Sequence, residues 1–183
     1  MAAGLDFDMT ADFRQAERML HGMQTQAVRA AANSALNKAM KTVERVAVRK
    51  IADKVGLNMR DTRRYMRVRR STRRTLETAL IGTGKRIPVH LRQARQTRRG
   101  VTYKGIGGKR RLIKGAFFPG GDVKRGAFKR VGKPRLPVTF LRTVSIPFLM
   151  KQRAFEDAVN AIAAPRFREL FSRELRFYLQ RYG

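Results

Sequence analysis

The apolar positions of this chain keep one spacing near its start, another in its middle and the first again near its end. Between Gln24 and Val55, the residues Val28, Ala32, Ala35, Leu36, Ala39, Met40, Val43, Val46, Ala47 and Ile51 recur every three or four positions, and Lys38, Lys41, Arg45 and Arg49 fall on the opposite face. This predicts one helix of roughly 45–50 Å at about 1.5 Å per residue, stopped by Gly56. Small residues at Ala27, Ala30, Ala31, Ala32, Ala35 and Ala39 leave room for a close neighbour, either the chain's own sheet or another subunit, and an intrachain core face is the preferred reading. Ahead of it, Thr10 or Asp12 can cap a shorter helix that carries Phe13, Ala16, Met19, Leu20 and Met23 and ends near Gly22.

Beyond Leu76 the period shortens to two. Leu76, Thr78 and Leu80 alternate, "GTGK" offers a turn, and "RIPVHL" reads as a returning strand with Pro88 at an edge. A further strand is predicted near Val101–Lys104, followed by a Gly-rich basic loop around Gly105–Arg111. "KGAFFPGGDVKRGAFKRV" repeats Gly-Ala-Phe, but the turn residues Pro119, Gly120, Gly121 and Asp122 between the copies make it two antiparallel strands around Phe117 and Phe128. Its spacing matches no solenoid unit. "LPVTFLRTVSI" alternates Val138, Phe140, Val144 and Ile146 as a final strand. Helical spacing then returns through Phe155, Ala158, Val159 and Ile162, is broken or restarted at Pro165, and continues through Phe167, Leu170, Phe171, Leu175, Tyr178 and Tyr182. The class is α+β: N-terminal helices including one long Ala-rich helix, a central, mostly antiparallel basic β-sheet, and a C-terminal helix. One domain over residues 1–183 is expected, with helices over 10–55, an Arg-rich short helix and connection over 57–74, a β region over 75–147 and a helical end over 148–183.

Charge changes this picture most. The chain carries 42 Lys and Arg against 13 Asp and Glu, a formal net charge of +29. Of these, 25 basic and 3 acidic residues lie between Arg60 and Arg135. Such an excess calls for an anionic partner, nucleic acid or acidic protein. "RDTRRYMRVRRSTRR" places eight arginines in fifteen residues. Asn58 with Asp61 can start a helix there, and in a helix Arg60, Arg63, Arg64, Arg67 and Arg74 would share a stripe. Only Asp61 is at hand in the sequence to neutralise it, so the tract is a candidate contact for phosphate or carboxylate groups, which guanidinium binds bidentately. The candidate surface comprises Arg60, Arg63, Arg64, Arg67, Arg69, Arg70, Arg73, Arg74, Arg98, Arg99, Lys109, Arg110 and Arg111.

Catalytic chemistry finds little support. There is no cysteine, hence no thiolate, disulfide or Cys-based zinc site. "GTGKR" and "GIGGKR" lack the leading glycine of a phosphate-binding loop and put Arg86 or Arg110 where a magnesium-binding hydroxyl belongs. His21 and His90 are the only histidines, and no carboxylate cluster suits a two-metal nuclease. No catalytic, cofactor or metal site is expected. Tyr65 and Tyr103 lie among basic residues as stacking platforms would, yet the strand pattern of an RNA-recognition motif is missing, and bracing of the sheet is the preferred reading. No apolar run is long enough to span a membrane, and the start lacks the charge and apolar order of a secretion signal.

The order of these landmarks resembles the minor tail protein Z family of long-tailed bacteriophages. The resemblance runs from about Phe13 to Arg181: "RAAANSALNKAMKTVERVAVRKIADKVG", the Arg-rich helix, the basic sheet, "KGAFF", "FKRVGKPRLPV", "SIP" and "FRELFSRELRFYLQR". It is sharpest at Gly115, Ala116 and Phe117, then Phe128, Arg130, Val131 and Gly132, then Pro137 and Val138. It implies a non-enzymatic structural protein that completes the head-proximal end of the tail, joining head to tail and positioning the genome end. A hexameric ring is implied, with tail terminator and head-tail connector proteins and genomic DNA as partners, the virion neck as its place and the host cytoplasm as its site of assembly. Gly115, Phe117, Phe128 and Val131 become a structural hairpin of that joint. The competing readings are a free-standing nucleic-acid-binding protein of ribosomal or chromosomal type and a cationic protein acting at membranes.

Overall fold

The structure, a computed structural model, describes residues 3–6 and 25–182. The shorter helix expected between Thr10 and Met23, and His21 with it, lie outside the described residues. The long helix α1 runs Thr25–Val55 and stops as its sequence requires, because Gly56 takes φ +69°, a left-handed value that glycine adopts without strain. Its buried stripe follows the predicted face, with Ala27, Ala31, Ala32, Ala35 and Ala39 fully enclosed. What covers that stripe is the C-terminal helix. The two form one core in which Phe155, Val159, Ala163, Phe167 and Leu170 meet the alanines and Leu36, Met40, Val43 and Ile51.

The C-terminal helix spans Arg153–Tyr182 without a break, so Pro165 neither ends nor restarts it. A proline inside a helix removes one backbone bond and costs about 3 kcal/mol. Here Ala163 and Phe167, on either side of it, are both buried in the shared core, which holds the two halves in line. Polar contacts fix the direction of the pair. Ser34 and Lys38 meet Glu174, while Lys54 hydrogen-bonds Gln152, so the helices run antiparallel.

Most of the antiparallel β region lies between them in sequence, and its strands are divided among four small sheets within the described residues. After helix α2 (Met59–Arg64), strand β2 (Met66–Arg69) pairs with β3 (Ala79–Gly82), whose other edge takes β1 (Ala3–Asp6). Strand β4 (Arg86–Pro88) does not fold back on β3 across the GTGK turn. Position 82 is walled in by Ile146, Pro147 and Met150 of the short helix α3 (Ile146–Met150), and Thr83 bonds the Tyr65 carbonyl instead. β4 pairs with β11 (Arg142–Ser145). A meander of β5 (Arg95–Thr97), β6 (Gly100–Lys104) and β7 (Arg110–Lys114) follows, so the Gly-rich loop is shorter than expected and Arg110 and Arg111 already belong to a strand. The last sheet orders β8 (Ala116–Phe117), β9 (Phe128–Arg130) and β10 (Val138–Phe140). The single strand expected over "LPVTFLRTVSI" is therefore two. Leu141 is the switch: its N–H bonds Ala127 beside β9 and its carbonyl accepts from Val89 beside β4, which moves the chain from one sheet to the other.

The candidate anion-contact surface

Asn58 starts α2 as its spacing predicts, its side chain accepting from the Asp61 N–H at 2.7 Å, and buried Thr62 bonds back to the Asn58 carbonyl. The helix then ends at Arg64, and Tyr65 caps it. The expected helical stripe is not formed beyond that point, because Met66 and Val68 alternate with Arg67 and Arg69 and the period-two pattern prevails. Met66 turns inward to the helix core while Arg67 and Arg69 stay exposed. The chain is tied to α1 just past the strand, where Ser71 and Asn37 exchange two hydrogen bonds of 3.0 Å. Arg73 and Arg74 stand exposed in the turn closed by the Thr72 and Thr75 hydroxyls.

Arg60, Arg63 and Arg64 on α2, Arg67 and Arg69 on β2, and Arg70, Arg73 and Arg74 beyond it are all exposed along one continuous stretch of the chain. The sequence named Asp61 as local counter-charge. Glu77 joins it: Arg64 reaches Asp61 at 3.4 Å and Arg69 reaches Glu77 at 3.7 Å. Exposed pairs of this kind contribute about 0–1 kcal/mol each, leaving the tract strongly positive.

The other candidates are not gathered into that tract. Arg98 and Arg99 occupy the β5–β6 turn, whereas Lys109, Arg110 and Arg111 stand where β6 turns into β7, at the opposite end of β6. Arg110 is committed internally, donating to the Gln93 and Thr102 carbonyls and to the Thr102 hydroxyl. Phe117 pairs directly with Phe128 across antiparallel β8 and β9. Phe128 meets Phe140 of the next strand edge-on at 5.2 Å, and Arg130 lies over the Phe117 ring. Gly126, at φ +93°, lets the chain pass that cluster, because any side chain would strike the Phe140 ring. Gly115 takes a left-handed φ of +71° at the entry to β8, and Val131 is exposed after β9. The residue that fills the small core of this region is Phe118, neighbour to the predicted Phe117.

Sequence reasoning did not single out Arg92. It follows a 3-10 turn, is 2 % exposed, and donates from Nε to the Val55 carbonyl at 2.9 Å, a cation closing the C-terminal end of α1. Its guanidinium lies 5.2 Å from the centre of the Tyr103 ring, and burial lowers its pKa from the ordinary arginine value. Tyr103 thus braces a buried charge. Burial also pushes the pKa of Tyr65 up, with Asp61 adding to the shift, and pushes that of His90 down. His90 packs edge-on to Phe140. No group of three or more His, Asp or Glu able to hold a metal occurs among the described residues, and no described helix is long and apolar enough to cross a membrane.

Compared with families of known proteins, residues 12–183 match Prophage minor tail protein Z (GPZ), so nearly the whole chain is covered and the chain belongs to that family. It is therefore a structural protein of a phage tail. No curated protein and no solved structure matches it.

Proposed function

We propose that this member of the prophage minor tail protein Z family completes the head-proximal end of the tail, where it acts as one domain in a hexameric ring that joins tail to head and positions the genome end. In this reading the protein performs no catalysis and takes no cofactor. Its partners are further copies of itself, the tail terminator, the head-tail connector and the genomic DNA, and it meets them after assembly in the host cytoplasm. The observation that carries the proposal is the arginine tract, a run of exposed guanidinium groups from Arg60 to Arg74 displayed by a short helix and a strand that are themselves anchored to the helix core. A subunit beside packaged DNA needs such a surface. Further exposed cations stand apart from it on the β5–β7 meander, Arg98 and Arg99 at one end of β6 and Lys109 and Arg111 at the other.

A ring built from one chain closes through two different faces of each subunit. The exposed segment from Val131 to Pro137 and the hairpin it leaves, with Phe117 and Phe128 in its strands and Gly115 at its entry, are suited to one of them. The test is electron cryo-microscopy of intact particles with this chain located in the density. Six copies in the neck are expected. A single copy, or copies remote from the head, overturns the proposal. Chromatography of the full chain at high salt addresses the competing nucleic-acid-binding reading, which requires nucleic acid for any assembly, whereas the ring reading allows assembly without it.

A further inference from the structure

A pocket of about 400 Å³ opens where β4, β6, β7, β11 and α3 meet. Four arginines line it, Arg86, Arg92, Arg111 and Arg142, the last with its guanidinium 5.5 Å from the centre of the Phe140 ring, and no carboxylate does among the described residues. Like charges are gathered here around a concavity, where they repel more strongly than on an open face. Arg92 stands out among them. Its Nε is used by the Val55 carbonyl, but its Nη2 is buried with no hydrogen-bond partner among the described residues, and an unpaired buried donor on a charged group is costly until an acceptor or counter-charge arrives.

The rest of the lining is apolar. Ile106, Ile113 and Val144 form part of the wall, and Phe148 stands at the pocket 56 % exposed, the one strongly exposed side chain of an otherwise buried α3. A phosphodiester backbone has nothing to place against these groups. An acidic protein segment has both halves of the match, a carboxylate for the arginines and a neighbouring apolar side chain for Phe148. We infer that this pocket receives a carboxylate side chain from an acidic protein segment, which docks an adjoining apolar residue on Phe148. Such docking does not depend on where in the particle the chain sits. It gives Arg86, Arg92, Arg142 and Phe148 a role separate from the exposed arginine tract.

The test uses the full chain and three fluorescein-labelled probes read by anisotropy: a peptide of alternating glutamate and leucine, the same peptide with glutamine for glutamate, and a short DNA duplex. The glutamate peptide is expected to bind and the glutamine peptide to bind far more weakly. Replacing Arg111→Gln and Arg142→Gln together should weaken the glutamate peptide by about tenfold or more, through removal of charged hydrogen bonds. Phe148→Ala should weaken it while leaving duplex binding unchanged. Arg60→Gln with Arg63→Gln should weaken the duplex and spare the peptide. Arg92→Met should abolish peptide binding, and if that variant does not fold, the exposed pair decides alone. Equal binding of both peptides overturns the inference. So does a Phe148→Ala protein that binds the glutamate peptide as tightly as the parent, or a pocket that prefers the duplex.

Discussion

The helix pair and the β region are stabilised in different ways. In the pair, two helices of about thirty residues bury a continuous apolar seam, small on α1 and large on the C-terminal helix α4, with Ala35, Ala39, Val43, Ile51 and Phe167 all at 0–1 % exposure. In the β region the second core is small, formed by Val89, Ala94, Val101, Ala116, Phe118 and Ala127 under sheets of two or three strands. That same region holds most of the excess charge. Stability therefore resides mainly in the helices, and the β region displays chemistry upon them. Arginine joins the two: Arg92 closes α1 from the β side, and Arg110 braces the β5–β7 meander.

The sharpest way to break this contrast is Phe167→Ala. The ring is 1 % exposed and stacks on Phe171 at 5.6 Å, so truncation opens a cavity in the middle of the seam. A loss of about 3–5 kcal/mol is expected, read as a lower urea midpoint. A loss no larger than that of a β-region truncation would show that the helices do not dominate.

Glu174 tests the polar end of the seam. Burial alone would raise its pKa, but the hydrogen bonds from Lys38 and Ser34, with the charges of Lys38 and Arg173, outweigh burial and hold it below the usual glutamate value. A carboxyl whose pKa is lower folded than unfolded stabilises the protein fully above the unfolded value and loses that contribution as pH falls through the folded one. Glu174→Gln should cost about 1.5–3 kcal/mol at neutral pH, the range for hydrogen bonds to a charged group. Its difference from the parent should shrink in acid. Denaturation at neutral and acidic pH checks both points.

How much of this was legible in the sequence differs between the two regions for a physical reason. The helix pair could be read because a three-to-four spacing persists over about thirty residues, long enough for the pattern to average out single exceptions such as Pro165. The strands are three to five residues long in most cases, and their partners are set by contacts far away in sequence. Phe117 and Phe128 could be paired because turn residues lie between them. The change of sheet at Leu141 could not, since it depends on Ala127 and Val89, and "MRVR" was hidden inside an arginine run whose aliphatic members are Met66 and Val68 alone. Arg92 carried no signal at all. It is one basic residue among many until the fold places it against the Val55 carbonyl.

A smaller effect is expected from Phe128→Ala. Its ring is half-buried and meets Phe140 edge-on, so the loss should be about 0.5–1.5 kcal/mol, the worth of an aromatic pair beyond its buried area, with a modest addition for the area itself. Thermal unfolding reads it. A loss matching that of Phe167→Ala would mean the β region has a core of its own comparable with the helices.

The smallest effect on stability, and the one that separates the two uses of arginine, belongs to Arg60→Gln, Arg63→Gln and Arg67→Gln combined. These side chains are exposed, while the segment is held by the Asn58 cap, by buried Thr62 and Met66, and by the pairing of β2 with β3. Each removed charge relieves repulsion as often as it removes an attraction, so the total change should stay within about 0.5 kcal/mol. Binding should respond differently. If the partner is duplex DNA, the slope of log affinity against log salt should fall by about 0.9 for each phosphate that is no longer neutralised. Arg110→Gln supplies the contrast, because that side chain donates to two carbonyls and a hydroxyl: it should lower the melting temperature and leave the slope nearly unchanged. Should the triple variant melt early, or Arg110→Gln flatten the slope as much, exposed and bracing arginines would not be distinct populations, and the division between a stabilising helix pair and a displaying β region would fail with them.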